Sequence, residues 1–350
     1  MHCDLAIIGG GLAGGLAALA LAALRPDLSL LLIERGHAPG GNHIWSFFDG
    51  DVAAQDRWLV EPLIAHRWPQ GHAVIFPGYR RDLPTPYNSV TSVAFAVHLR
   101  SVLGDRLLTG VDVAALAPDR VTLADGRTIR AQAVLDARGP GDLSALHCGW
   151  QKFVGHALRC DAPHGVERPV IMDASVDQLD GYRFVYLLPW DDHTIFVEDT
   201  YYADTPAIER EALRARIARY AAGQGWDIAE VLYEETGALP VIARGDFSAA
   251  GVELGKGEPG VPETHFVAMM AAAKQGRIEE AVQRMQQAVA AGLPFERLVA
   301  GPRDVLRPLY SSDAYRKLAA QQRPADLLHG PMLGDLTDTE ASVWLRSARA

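Results

Sequence analysis

The sequence has few cysteines, and they form no recognisable pairing pattern. Only Cys3, Cys148 and Cys160 occur among 350 residues, and no CxxC pair is present. Such an odd set argues against a disulfide framework and favours a reducing compartment, the cytoplasm. The 12 histidines show no metal-ligand spacing, so we expect no metal site.

The chain also lacks a basic surface, a secretory signal and a convincing membrane span. Its formal net charge of −10 argues against broad nucleic-acid binding. No basic segment precedes the first apolar stretch, as a signal peptide would require. The uncharged run from Leu5 to Leu24 is long enough to cross a bilayer, but its glycines make a poor continuous helix.

What the sequence does contain is a dinucleotide-binding start. An apolar segment leads into Gly9-x-Gly11-x-x-Gly14, an Ala/Leu-rich helical pattern follows, and a second apolar segment ends at Glu34. This order is typical of a Rossmann βαβ unit, although a glycine turn also occurs in ordinary βαβ units. Gly9 permits a tight turn, Gly11 lets backbone approach a pyrophosphate, and Gly14 allows close helix packing. Glu34 stands where a carboxylate accepts ribose hydroxyls.

Local patterns predict several further elements. Residues 90–103 read as an amphipathic helix, and Asp125-Gly126 as the turn of a β-hairpin. The strand that follows the hairpin ends in Asp136-Ala137-Arg138-Gly139. Asp136, Arg138 and Gly139 therefore form either a second point of approach to the cofactor or a plain strand-to-loop turn, and spacing alone does not separate the two.

The chain divides by character into three parts. Residues 1–150 read mainly as the dinucleotide-binding part, with inserted segments at about 45–95. Residues 151–247 are β-rich, with aromatic and aliphatic residues and sparse acids typical of strands around a ligand cavity. Residues 248–350 begin with a Gly/Pro/Glu-rich, linker-like stretch, Gly251 to Pro262, followed by a helical pair or one long helix over Phe266–Ala291.

Several motifs occur in one order along the first 247 residues. They are Gly9 to Gly14 with Glu34, Gly40-Gly41-Asn42-His43-Ile44-Trp45-Ser46, Asp136-Ala137-Arg138-Gly139, Met172-Asp173-Ala174 with Val176-Asp177-Gln178, Gly181-Tyr182-Arg183-Phe184, Glu198-Asp199-Thr200 and Glu235-Thr236-Gly237-Ala238-Leu239-Pro240. In these motifs the chain resembles bacterial lycopene cyclases of the flavin-dependent β-cyclase type.

The resemblance implies a flavoprotein monooxygenase-like α/β fold, with an FAD-binding Rossmann-type part and a β-rich substrate part. It also implies conversion of the linear ψ ends of lycopene, or of other acyclic carotenoids, to β-ionone rings without net redox change. FAD is expected in its reduced form, with NADPH or NADH as the reductant. Since the substrate is a membrane lipid, the expected location is the cytoplasm, peripheral to the inner membrane.

Cyclisation needs an acid that protonates carbon, so a carboxyl group must stay neutral in an apolar pocket. Glu198 follows the apolar run 195–197 and is the predicted general acid, although a surface carboxylate at a strand end or a partner for a helix N-terminus would look similar. Asp199 is the rival acid or a charge partner. Asp173 and Asp177 are four residues apart, so on one strand they would share a face and a pocket; the alternative is that they are surface or strand-end carboxylates.

Other polar and aromatic residues have plausible supporting roles. Arg183 is expected to anchor a carboxylate or phosphate, or else to be an exposed strand residue. The rings of Tyr182, Phe184 and Tyr186 are candidates for cation–π stabilisation of a carbocation. His43 and Trp45 are candidates for the flavin side.

The C-terminal part departs from the family. The family's later segment with a Phe-His-Pro-Thr-Thr-Gly-Tyr-Ser-Leu-Pro pattern is missing, and residues 248–350 are atypical. The chain is then either a divergent cyclase with a replaced tail or a misjoined reading frame or fusion with a defective FAD site, and we expect weak FAD retention unless residues 251–350 supply a substitute. The alternatives to a cyclase are a flavin-dependent monooxygenase or oxidoreductase, and a non-catalytic carotenoid-binding remnant.

Overall fold

A computed structural model describes residues 2–141, 143, 146–179, 181–245, 262–300, 303–321, 327–334 and 342–347. The chain divides into two compact units, Met1–Ala243 and Arg244–Ala350. Every site residue predicted above belongs to the first unit. The expected linker, Gly251 to Pro262, lies outside the described residues except for Pro262.

The first unit mixes strands and helices along its whole length. Its elements are β1 (His2–Ile8), α1 (Leu12–Leu24), β2 (Leu30–Glu34), β3 (Ile44–Phe48), α2 (Arg57–Val60), β4 (His66–Trp68), β5 (His72–Phe76), β6 (Tyr79–Leu83), β7 (Tyr87–Thr91), α3 (Ser92–Leu103), β8 (Leu107–Thr109), β9 (Val113–Ala117), β10 (Arg120–Leu123), β11 (Thr128–Asp136), β12 (Leu146–Cys160), β13 (Val170–Asp173), β14 (Arg183–Pro189), β15 (Thr194–Ala203), α4 (Arg210–Gly223) and β16 (Ile228–Gly245).

The dinucleotide start forms part of a six-stranded sheet with the order β8-β2-β1-β11-β10-β9. Strands β8, β2, β1 and β11 are parallel, and β9 and β10 extend the sheet in antiparallel fashion. At the carboxyl end of β1, Ile8 pairs with Ile33 on one side and with Asp136 on the other. Ligands of open α/β sheets bind at this edge, so Glu34 and Asp136 flank the position expected for the cofactor.

Helices α1 and α3 cover one face of this sheet. A methyl group on Gly15 of α1 would lie 2.3 Å from the ring of Phe95, so only glycine lets α3 approach this closely. Phe95 and Leu99 are buried with Ile7 in one apolar cluster. Helix α3 begins at Ser92 because Thr91 caps it, accepting a hydrogen bond from the Ala94 amide at 3.2 Å.

The second sheet has seven strands in the order β16-β12-β15-β14-β13-β5-β6. One face packs against α4 through residues such as Val154, Val185 and Leu213. Phe196 and Leu188, on the other face, pack against a three-stranded sheet of order β3-β7-β4. Because side chains alternate along a strand, neighbouring residues of β15 face two separate environments.

In its described residues the second unit consists of helices and a pair of antiparallel strands. The turn at Gly276, with φ +74°, separates the helices Pro262–Lys274 and Ile278–Ala290, so the apolar pattern over residues 266–291 is a helical pair. Phe266, Met269 and Met285 contribute to its buried core. Its elements are α5 (Pro262–Lys274), α6 (Ile278–Ala290), α7 (Phe295–Ala300), α8 (Arg303–Tyr310), α9 (Asp313–Gln321), β17 (Leu327–Gly334) and β18 (Ser342–Ser347).

The apolar N-terminal run forms β1 and the 13-residue α1. Within the described ranges, no helix combines the length and the apolar character needed to cross a membrane.

Candidate active site

Three glycines in the turn after β1 each lie in different backbone surroundings. Gly9 has φ +105°, and a methyl group there would lie 2.5 Å from the Ala137 carbonyl oxygen. A methyl group on Gly14 would lie 2.0 Å from the Gly9 carbonyl oxygen, whereas one on Gly11 would meet nothing within 4 Å. Gly11 also caps α1 without a side-chain hydrogen bond. The open space at Gly11 and the uncapped N–H groups of α1 suit a pyrophosphate.

Glu34 holds this turn from the side of β2. Its Oε2 accepts a hydrogen bond from the Gly10 amide at 2.7 Å, and its Oε1 accepts one from the Gly36 amide at 2.7 Å. Each carboxylate oxygen keeps a second lone pair, so the side chain can stabilise the turn and still accept a ribose hydroxyl.

The structure predicts a sharp difference between two glycine variants. We expect Gly14→Ala to destabilise the first unit by about 1–3 kcal/mol, because the added methyl group overpacks against the Gly9 carbonyl. We expect Gly11→Ala to keep wild-type stability and to weaken dinucleotide binding, because its methyl group occupies the open approach. Urea unfolding and flavin titration of both variants measure the two effects. Equal destabilisation by Gly14→Ala and Gly11→Ala would contradict the assignment of Gly14 to packing and Gly11 to dinucleotide approach.

The turn after β11 packs directly against the glycine turn. The Ala137 amide donates to the Ile8 carbonyl at 2.7 Å, and the Ala137 carbonyl is the group that excludes a side chain at Gly9. The guanidinium of Arg138 pairs with Asp136 through two hydrogen bonds, of 2.8 and 2.7 Å, and lowers the pKa of that carboxyl. Gly139 has φ +89° and open space around it. The structure thus brings the two predicted cofactor segments together.

Glu198 lies in the middle of β15, so the strand-end alternative is wrong. It is partly accessible to solvent, and Thr200 Oγ1 donates a hydrogen bond to its Oε1 at 2.5 Å. Burial of the carboxyl group, and then the negative charge of Glu235, raise the pKa of Glu198 from 4.5 to about 8. Glu198 is therefore mostly a neutral carboxylic acid at pH 7, the state that a proton donor needs.

Aromatic side chains share the face of the second sheet that carries Glu198. Tyr186 lies directly across from Glu198 in the β14–β15 register, and its hydroxyl donates to the Tyr87 hydroxyl at 2.6 Å. Burial raises the pKa of Tyr186 well above 10, so the phenol stays neutral. Phe184 precedes it by two residues on the same strand and is buried. Two aromatic rings thus lie beside the candidate acid.

Glu235 is a site residue that the sequence reasoning missed. It lies on β16 and is 3% exposed. Its Oε1 accepts a hydrogen bond from the Ile44 amide at 3.1 Å and lies 3.0 Å from His43 Nδ1. Burial raises the pKa of Glu235. Glu235 is the first residue of the Glu-Thr-Gly-Ala-Leu-Pro motif, so the sequence did mark this position. Nothing in the local sequence shows that its hydrogen-bond partner, Ile44, is 191 residues away.

Asp199 faces the opposite side of the sheet from Glu198. The Arg183 guanidinium donates to both of its oxygens, with Nε 3.0 Å from each, and Arg216 Nη1 of α4 lies 3.9 Å from Oδ1. Asp199 is 0% exposed. Arg183 therefore anchors a carboxylate, as one reading of the sequence suggested, and the alternative of an exposed strand residue is wrong.

The expectation that Asp173 and Asp177 share one strand face is wrong. Strand β13 ends at Asp173, and Asp177 lies beyond it, exposed to solvent. Asp173 is buried beneath α4, where Tyr220 donates a hydrogen bond to its Oδ2 at 2.6 Å and Ser175 donates to its Oδ1. Even spacing implies a shared face only where the strand continues. Neither aspartate lies beside Glu198.

A cavity of about 360 Å³ opens on the α4 side of the sheet, not on the side of Glu198. Its lining includes Arg80, Asp82, Glu167 and Arg168, with Asp173 at its wall. Burying an apolar chain against four charged groups would leave their charges poorly solvated. This cavity therefore does not suit a hydrocarbon substrate, and the Glu198 face remains the better candidate.

Comparison with known sequences identifies the family. The family described as lycopene cyclase protein matches residues 4–259. A lycopene beta-cyclase from Pseudescherichia vulneris is 45% identical over 262 residues, which cover 75% of this chain and 66% of the relative. One from a Paracoccus species is 44% identical over 254 residues, covering 72% of this chain and 64% of the relative. The chain thus spans slightly less than two thirds of the length of these relatives.

Two solved structures share the fold. RebC-10x, solved in native and K252c-bound form, has a TM-score of 0.50 at 17% identity and covers 98% of this chain and 84% of its own. A geranylgeranyl bacteriochlorophyll reductase-like protein from Thermoplasma acidophilum has a TM-score of 0.50 at 12% identity, covering 91% of this chain and 99% of its own. Together with the parallel sheet, these likenesses confirm the predicted α/β class with a Rossmann-type part and a β-rich part.

The resemblance inferred from the ordered motifs is confirmed by both the family match and the bacterial relatives. On this basis, the chain belongs to the lycopene cyclase family.

Proposed function

We propose that this chain converts the linear ψ ends of lycopene to β-ionone rings by acid-initiated carbocation cyclisation. The observation that carries the proposal is Glu198, whose pKa is raised to about 8 on a strand face that also holds Tyr186 and Phe184. A neutral carboxylic acid among aromatic rings suits the protonation of an alkene, whereas an ionised carboxylate does not.

The proposed reaction needs no oxidant. Glu198 gives its proton to a terminal alkene carbon, and the electrons of that double bond form the new C–H bond. The tertiary cation left behind accepts the electron pair of a neighbouring double bond, which closes the ring. Loss of a ring proton then restores a double bond, so the product is an isomer of lycopene.

The aromatic residues have a defined part in this scheme. The faces of Phe184 and Tyr186 stabilise positive charge through cation–π attraction, of about 0.5–2 kcal/mol each. The raised pKa of Tyr186 keeps its hydroxyl protonated and bonded to Tyr87, so no phenolate is present to trap the cation.

The glycine turn fits a dinucleotide, and we propose FAD as that dinucleotide. Open space at Gly11 and the uncapped start of α1 would receive the pyrophosphate, Glu34 the ribose, and the Asp136–Gly139 turn would flank both. Bound in its reduced form, FAD would supply a negative charge that stabilises a developing cation. NADPH or NADH is the proposed reductant.

The aspartates are proposed to act indirectly. Asp199, paired with Arg183, holds β14 and β15 in register beneath the site, and its charge contributes to the raised pKa of Glu198. Asp173 fixes β13 to α4 through Tyr220. For Asp177, exposed beyond β13, we propose no part in proton transfer.

Lycopene and other acyclic carotenoids are the proposed substrates. Because such molecules reside in lipid bilayers, we propose that the protein works at a membrane surface, on the cytoplasmic face of the inner membrane.

A product assay in air tests the proposed reaction. The full chain is supplied with FAD, with NADPH to keep the FAD reduced, and with lycopene in lipid vesicles, and the products are separated by chromatography and weighed by mass spectrometry. We expect ring-containing isomers of lycopene without NADPH consumption in proportion to product. An oxygenated product with matching NADPH consumption would indicate a monooxygenase, and unchanged lycopene would indicate a binding protein. Either result would contradict the proposal.

The rate of ring formation should depend on the protonated form of Glu198. We expect the rate to be half-maximal near pH 8 and to approach a tenfold fall per pH unit above it, since the acid is then ionised. Thr200→Val removes a hydrogen bond that lowers this pKa, so its profile should shift to higher pH. Initial rates of both proteins between pH 6 and 10 measure the shift. A Thr200→Val profile that moves to lower pH would contradict the assignment.

A further inference from the structure

Glu235 is a buried carboxylate with one oxygen held and one oxygen free. The Ile44 amide and the ring of His43 hold Oε1. Oε2 is shielded from solvent and has no hydrogen-bond partner among the described residues. Buried polar atoms are nearly always paired, so an unpaired carboxylate oxygen calls for a functional reason.

The position of Glu235 relates it to the candidate acid. Strand β16 neighbours β12, and Gly155 of β12 lies directly across from Glu198 of β15. The next residue back, Glu234, points to the other side and pairs with Arg214 of α4 at 2.6 Å. Alternation along β16 therefore directs Glu235 to the face that carries Glu198.

We propose that Glu235 is the base that removes the ring proton at the end of cyclisation, an inference that rests on the proposed function. A C–H bond next to the cationic carbon breaks, and its electron pair forms the ring double bond. The proton goes to the free lone pair of Oε2. Glu235 then releases this proton to solvent, and Glu198, ionised by its own donation, takes up one proton from solvent before the next turnover. One proton is given and one is recovered, so no co-reactant is consumed.

A fixed base also determines which isomer forms. The cationic ring carbon has more than one neighbouring carbon that bears hydrogen. The carbon that loses its proton determines where the double bond forms. Because Ile44 and His43 hold Oε1, the direction of Oε2 is fixed relative to the sheet. Glu235 would thereby select the β-ring isomer over isomers with a shifted double bond.

The proposal has a consequence for the acid side of the pH profile. The base must be ionised, so ring formation should also fall as pH drops through the pKa of Glu235. Burial raises that pKa, and the hydrogen bond with His43 opposes the rise. The charged or titratable groups coupled to Glu235 are His43, Glu198 and Tyr233.

The test compares Glu235→Gln and Glu235→Asp with the wild type in the full chain. Gln keeps an oxygen for the Ile44 amide, and Asp keeps a carboxylate on a shorter stem. We expect Glu235→Gln to form rings about 10²- to 10⁴-fold more slowly and to yield a mixture of double-bond isomers. Its rate should no longer fall as the pH drops through the pKa of Glu235, a fall that we call the acid limb of the profile. We expect Glu235→Asp to recover part of the rate and the acid limb. Glu230→Gln is the matched control, because Glu230 is an exposed glutamate of the same strand.

Three results bear on the proposal in different ways. Wild-type rate, isomer and acid limb in Glu235→Gln would overturn it while leaving the proposed cyclisation intact. Equal loss in Glu235→Gln and Glu235→Asp, with one unmixed isomer from both, would show a purely structural role and would also overturn it. Absence of rings with the wild type would refute the proposed function and this inference with it. Circular dichroism and thermal unfolding of each variant accompany the rates.

Discussion

Glu198→Gln is expected to reduce ring formation by about 10²- to 10⁴-fold, the usual contribution of a positioned general acid. The amide has the size of the neutral carboxylic acid but has no proton acidic enough to protonate carbon. The hydrogen bond from Thr200 to Oε1 is retained, so the local structure should persist. Rates of ring formation and the bound flavin content are measured together, because loss of flavin would give a similar loss of rate.

The same variant should gain stability. The unfolded chain releases the Glu198 proton near the ordinary pKa of 4.5, whereas the folded chain keeps it until about 8. Wild-type stability therefore falls by up to about 1.4 kcal/mol per pH unit across that window, and Gln, which has no proton to release, avoids the loss. Urea unfolding at pH 5 and pH 8 should show an advantage for Glu198→Gln that grows with pH.

Full ring formation by a flavin-loaded Glu198→Gln protein would remove Glu198 as the acid. A variant that is inactive but no more stable than the wild type at pH 8 would contradict the raised pKa. Glu230→Gln serves as the control, since Glu230 is 57% exposed and pairs with the exposed Arg159.

Asp199→Ala is expected to lower the free energy of unfolding by about 3–5 kcal/mol, the cost of leaving buried charges without a partner. Arg183 is 8% exposed at its side chain and Arg216 is 18% exposed, and both lose their common carboxylate. The pair joins β14 to β15, so the loss should affect the whole second sheet. The midpoint of urea unfolding measures it.

A double variant separates this pair from a catalytic role. Asp199→Leu combined with Arg183→Met should recover much of the lost stability, because apolar residues of similar volume often replace a buried ion pair without loss. Ala at Glu230 should cost less than about 1 kcal/mol, as for other exposed pairs. If Asp199→Ala cost no more than the Glu230 variant, the buried pair would not support the sheet. If a folded Asp199→Asn protein lost all cyclisation, this result would favour Asp199 over Glu198 as the general acid.

Features encoded within a short stretch were predictable from sequence. The roles of Gly9, Gly11 and Gly14 follow from one strand, one turn and one helix, and the structure gives each the expected surroundings. The hairpin at Asp125-Gly126 and the helix capped by Thr91 are local in the same sense.

Features that depend on distant contacts were not predictable. Glu198 and Asp199 are neighbours in sequence, yet strand alternation places one beside Tyr186 and the other beside Arg183. Glu235 acquires its partners from His43 and from Ile44 at the start of β3, and no periodicity of β16 reveals those contacts. The shared face expected for Asp173 and Asp177 failed because β13 ends sooner than the sequence pattern suggests.

Deuterium incorporation tests acid-initiated cyclisation most directly. Wild-type protein with reduced FAD is given lycopene in D₂O, where the Glu198 carboxyl group exchanges its proton with solvent. We predict cyclic products that carry one solvent deuterium for each ring formed and no added oxygen, and about 10²- to 10⁴-fold less of these products from Glu198→Gln in the same time. Rings without deuterium, oxygenated products, or lycopene recovered unchanged from the wild type would contradict protonation by Glu198 as the step that starts the reaction.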